Sequence, residues 1–191
     1  MLRTIAPAAL LLAALVSTAA VAAPAQDASR PVKTVVQAVR YSKDDLALKQ
    51  FALEAQGAFL LEDQWKKGTP AQREEFKALF QKLFALMAFP KIRENFEHLA
   101  TINYDAAKVA GNTASINSLI LINHPLKKQE LKVAYDVVKE GAGWKVKDVS
   151  VLGDSMLLGI RDGQIRPIMK KGGWDHLLTL MRARVKALDK K

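Results

Sequence analysis

The sequence predicts a single α+β domain, and three observations predict it. Apolar residues recur at three- and four-residue intervals through the first half of the chain. The period changes to two between about Ala100 and Gly153, then returns to helical spacing towards the C-terminus. Helices, an antiparallel meander and helices again are the order expected of a sheet with helices gathered on one face.

The opening segment, MLRTIAPAALLLAALVSTAAVAAPAQ, has Arg3, an apolar run from Ile5 to Val16 and an Ala-x-Ala pattern at Ala20, Val21 and Ala22. These are the features of a cleaved secretory signal over residues 1–22, leaving one exported, periplasmic domain over residues 23–191. The run falls short of the roughly 20 residues a membrane span needs. A Pro/Ala/Ser linker is expected near Pro24 to Pro31, and the type of the following VKTVVQAV is left open by its pattern. SKDDLALKQFALEAQGAFLLEDQW reads as one helix, with Ser42 as cap and Asp44 and Asp45 in its first turn. Its Gly57 either weakens the helix or lets a neighbour come close.

The next helix is the most explicit. Thr69 stands at the cap, Pro70 at the first helical position and Gln72 where a capping box requires it. Phe76, Leu79, Phe80, Leu83, Phe84 and Met87 then form one stripe over about five turns. Pro90 ends or kinks that helix, and a shorter piece follows through Ile92, Phe96 and Leu99. About four strands come next, in ATINYDAAKV, TASINSLILIN, QELKVAYDVVKE and GWKVKDVSVLG. Leu131, Val133, Tyr135 and Val137 alternate with Lys132, Ala134, Asp136 and Val138, as in a sheet with one covered face. Two helices close the chain, one from about Asp154 to Arg166 and one after Gly172-Gly173 carrying Trp174, Leu177, Leu178, Met181, Val185 and Leu188.

The chain carries a formal charge of +10, or +9 without Arg3. From Arg161 onward nine Lys or Arg face three Asp, so this tail holds +6. Such a field favours anionic partners and equally serves solubility. Export, and the lack of aromatic residues interleaved with the basic ones, count against nucleic acid. With no cysteine, neither a disulfide nor a thiolate is available.

No catalytic constellation emerges. His98, His124 and His176 lie on different elements without metal-ligand spacing. Ser155, His124 and Asp148 could be assembled into a triad only by selection, since no nucleophile-elbow motif surrounds them. GDSMLLG lacks the lysine and the strand–loop–helix order of a phosphate-binding loop. The pairs Glu62-Asp63 and Glu74-Glu75 read as solvated faces. No catalytic residue, metal or cofactor is expected.

The aromatic stripe is compatible with a plain core and with a carried ligand. A family resemblance favours the carried ligand. Trp65, Thr69, Pro70, Gln72, Arg73 and Phe76 follow the pattern W-x-x-x-T-P-x-Q-R-x-x-F, and Trp144, Val146, Asp148, Val149, Gly153, Ser155 and Arg161 follow W-x-V-x-D-V…G-x-S…R. Both resemble the MlaC-type, or toluene-tolerance, family of periplasmic lipid-shuttle proteins. The chain departs from the pattern at Asp154, where the family commonly has an apolar residue, at Lys147, where it often has Tyr, and in the region between the signal and Trp65, which is shorter than usual for the family.

The resemblance implies a monomeric NTF2-like fold with helices on the concave face of a curved antiparallel sheet, around an apolar cavity. It implies phospholipid cargo, ferried between an outer-membrane lipoprotein complex and an inner-membrane ABC transporter with an MCE-domain protein. The basic tail would meet the lipid phosphate or an anionic membrane surface. The expected lining is Phe80, Leu83, Phe84 and Met87 from the stripe, Val133, Tyr135 and Val137 from the sheet, and Met156, Leu157 and Ile160 after Gly153. Three alternatives stay open: a hopanoid-type cargo, an exported adaptor whose stripe is only core, and an NTF2-like enzyme with Asp136 or Asp148 facing inward.

Overall fold

A computed structural model describes residues 22–189. The signal expected over residues 1–22 lies, Ala22 apart, outside them. Among the described residues six strands form one antiparallel sheet: β1 (Leu99–Tyr104), β2 (Lys108–Ala110), β3 (Thr113–His124), β4 (Lys127–Glu140), β5 (Gly143–Val151) and β6 (Asp154–Ser155). Their order is β1-β3-β4-β5-β6, with β2 beside the start of β3. Two strands exceed the expected four. The first predicted strand divides at 105–107, where the Asp105 amide donates to the Asn117 carbonyl (2.9 Å), and β6 doubles back on the end of β5.

The alternation of β4 does what its sequence requires. Val133, Tyr135 and Val137 are buried while Lys132 and Asp136 are exposed. On β5 the register passes from Asp136↔Asp148 to Val137↔Val146, which leaves Lys147 as a bulge that bends the strand. The Lys147 carbonyl is satisfied by the buried Gln56 side chain at 2.8 Å.

The helices depart from expectation in the first third of the chain. The segment assigned to a linker and an open element is a single helix, α1 (Ala22–Arg40), with Ala28, Val32, Val35 and Val39 along its buried side. The single helix expected next is three: α2 (Asp44–Leu48), α3 (Leu53–Leu61) and α4 (Asp63–Lys67). The first break has a clear cause, because residues 50–52 add to the free edge of β5. Val146 N donates to Gln50 O (2.8 Å), and Ala52 N donates to Val146 O (2.9 Å). The second break falls at Glu62, with φ 51°. Ser42 is no cap; it has φ 55°, and α2 has Lys43 at its N-cap without a side-chain bond.

Helix α5 (Pro70–Met87) begins with the full capping box between Thr69 and Gln72, and α6 (Phe89–Phe96) restarts with Pro90 in its first turn. After β6 come α7 (Met156–Ile160), capped by Ser155, a π-helical turn (Arg161–Ile165) and α8 (Arg166–Leu188). Gly172 and Gly173 interrupt α8, and Gly173 at φ 63° holds a conformation that favours glycine.

Two apolar clusters result. One joins the covered sheet face to α1, α2 and α6; the other joins α3, α4, α5, α7 and α8 around Phe76, Leu177 and Leu178. Phe84 links them, with Phe51 at 5.3 Å, Phe89 at 5.6 Å and Phe80 at 6.3 Å between ring centroids. Among the described residues no helix is long and apolar enough to cross a membrane.

Candidate apolar binding site

Close packing is interrupted on both sides of Phe84. One chamber, of about 560 Å³, lies between α5, the α7–π segment and α8, with Leu83, Met87, Ile160, Ile168, Leu180 and Met181 among its walls. A second, of about 380 Å³, lies between the covered sheet face, α1 and α6, with Val36, Ile92, Phe96, Ile120, Leu131 and Val133 among its walls. Phe84, Ala88 and Met156 line both. Each volume falls in the range of about 300–1,000 Å³ typical of small-molecule sites. The chambers share this wall because α5 ends at Met87: the Ala88 kink before Pro90 turns α6 back over the sheet, leaving the last turn of the stripe between the two spaces.

The expected lining residues divide between these spaces. Phe80, Leu83, Phe84, Met87, Met156 and Ile160 border the first chamber. Phe84, Met156, Val133 and Tyr135 border the second. Val137, fully buried, and Leu157, 3 % exposed, border neither; they lie in the sheet and helix clusters respectively. The α8 wall and the α1 wall were not foreseen as lining. The α8 stripe at Leu177 and Met181 was visible but has no signature separating wall from core. The α1 segment carries the Pro, Ala and Ser of a linker, and its pattern gives no sign of a wall.

Polar groups at the site are few. Tyr135 Oη and Ser118 Oγ share a buried hydrogen bond of 3.3 Å beneath the second chamber. Burial pushes the Tyr135 hydroxyl above its ordinary value against the pull of that bond. Tyr104 is pushed further in the same direction, by burial first and by the neighbouring Tyr135 second. Both therefore stay neutral at any physiological pH. At the exposed rims, Arg184 borders the first chamber and Lys91 the second. Among the described residues neither has an ion-pair partner, whereas nearby Lys82 and Arg182 are paired with Asp189 and Glu75.

The carboxylates considered for chemistry are placed otherwise. Asp136 is exposed. Asp148 is buried, and its oxygens accept from Ser155 Oγ (2.5 Å), Val149 N (2.7 Å) and Leu157 N (3.1 Å), which fastens β5 to the start of α7. Asp148 opposes Asp136, which opposes Ser115, nine residues of extended β3 from His124. That is about 30 Å, so His124 cannot complete a triad with Ser155 and Asp148. Among the described residues no group of His, Asp or Glu is arranged to hold a metal ion.

Comparison with known proteins agrees with this architecture. No curated protein sequence matches the chain. Among solved structures, the phospholipid-binding protein from Ralstonia solanacearum, determined in complex with a phospholipid, superposes with a TM-score of 0.69 at 20 % identity, covering 85 % of this chain and 99 % of that one. Its similarity is one of fold. The MlaC protein family matches residues 19–183, nearly all of the described domain together with the residues just before it. The chain belongs to the MlaC family.

Proposed function

We propose that the protein is a periplasmic carrier that holds the acyl chains of a phospholipid in the two neighbouring chambers and shuttles it between outer- and inner-membrane complexes. The observation that carries this reading is the pair of apolar spaces that share Phe84, Ala88 and Met156 as a wall, each with a cation at its rim that has no ion-pair partner among the described residues. A diacyl lipid has on the order of 30 methylenes, each costing about 0.8 kcal/mol in water, so unaided transfer faces roughly 25 kcal/mol. A dry compartment removes most of that penalty without chemistry. Arg184 or Lys91 would meet the phosphate left outside. Two chambers divided by a phenyl ring suit two flexible chains better than one rigid polycyclic body. The relative from Ralstonia solanacearum, a phospholipid-binding protein of the same fold, supports the same cargo class.

Leu83→Trp tests the reading. Leu83 is half-buried and borders the first chamber, so an indole there occupies the space while the aromatic chain through Phe84 is left intact. Phospholipid phosphorus recovered per mole of protein is expected to fall at least about threefold, with the thermal midpoint within a few degrees of wild type. Full recovery from a folded variant would overturn the assignment of this chamber.

A further inference from the structure

Beyond the last rung of β5, Val151 against Val133, strands β3 and β4 run on as an arm towards the turn at Pro125 and Leu126. The arm supplies Ile120, Ile122 and Leu131 to the second chamber, whose exposed side is marked by Lys91 and Asn95 of α6. Asn123 N, near the tip, donates to His98 O just past the end of α6 (2.8 Å). The tip thus stands beside the chamber's open side. There Leu126 is 88 % exposed, followed by exposed Lys127 and Lys128.

The adjacent β5–β6 turn shows a second anomaly. Leu152 has φ 55° and is 66 % exposed, and Gly153 has φ 97°. A two-residue turn with both φ values positive favours Asn-Gly. A leucine there bears a left-handed backbone that L-residues avoid while its side chain stands in water. Leu152 N donates to Lys132 O (2.9 Å), so both turns lie along one margin of the sheet. Among the described residues no ion pair engages Lys127, Lys128 or Lys132.

We propose that this margin is a membrane-contact edge whose partner is an anionic lipid surface. Leu126 and Leu152 seat among the head groups, and the three lysines meet the phosphates. Exposed Glu130 and Asp154 on the same margin temper the attraction, which keeps the contact brief. The second chamber is thereby presented to the bilayer. The proposal stands apart from the cargo assignment, because vesicle contact is read without lipid transfer.

The test is flotation of the whole protein with phosphatidylglycerol-containing vesicles, over a series of salt concentrations. Wild type is expected to float with them, less so as salt rises. Leu126→Glu should weaken binding about tenfold or more, with unchanged thermal midpoint and unchanged co-purifying lipid. Val109→Glu makes the same charge change on β2, at the far end of the sheet, and should bind as wild type. Three results would each overturn the proposal: Leu126→Glu binding within twofold of wild type, equal weakening by Val109→Glu, or no flotation of wild type. The last would leave the edge to a protein partner.

Discussion

Gly57 is fixed by a neighbour and not by its own backbone. A Cβ there would lie 2.4 Å from the Trp65 ring, which is held by its bond to Glu54 (2.9 Å) and by contacts with Phe76 and Trp174. Alanine elsewhere in a helix gains about 1 kcal/mol over glycine; here the overlap outweighs it. Gly57→Ala is expected to cost a net ~1–2 kcal/mol in urea denaturation. Gly159→Ala, at an exposed position of α7 with open space around it, should stabilise by up to about 1 kcal/mol. The sequence offered both readings of Gly57, and only the position of Trp65 decides between them. Tyr104 and Tyr135 give a pH test at the same scale. Their folded values are raised by burial, so their contribution is complete below the unfolded value near 10 and is lost as pH rises from there towards the folded values. The thermal midpoint is expected to fall with pH above about 10, and less steeply in Tyr104→Phe.

At the scale of elements, what was legible depended on whether the local signal had a tertiary competitor. Helix α5 had none. Its capping box and its stop before Pro90 stand as the sequence indicates, and Thr69→Ala should cost ~1 kcal/mol by denaturation while leaving co-purifying lipid unchanged. The expected helix from Ser42 to Trp65 did have one. Residues 50–52 satisfy the edge of β5, a long-range pairing that helical periodicity cannot reveal. The β5 bulge did leave a trace. Buried Trp144 and Val146 are two apart, but the next inward residue is Val149, so the apolar spacing slips from two to three at Lys147. The junction after β6 rests on Asp148, which binds Ser155 and two backbone amides. Asp148→Ala leaves those amides without their acceptor and is expected to cost roughly 2–3 kcal/mol.

For the whole molecule, the family motifs at Trp65–Phe76 and Trp144–Arg161 pointed to a lipid-shuttle fold, while the cavity itself was beyond the sequence. The same stripe supplies Phe76 to a packed core and Leu83 to a chamber wall, and the helical spacing of the two is identical. What distinguishes them is the turn of α6 over the sheet and the far wall from α8, both set by residues distant in the chain. The central claim is that the spaces on either side of Phe84 hold lipid. Mass spectrometry of protein purified without detergent, under native and then denaturing conditions, tests it most directly. The predicted result is one phospholipid per chain, lost on denaturation; a bare mass that stays unchanged after incubation with phospholipid vesicles would contradict it.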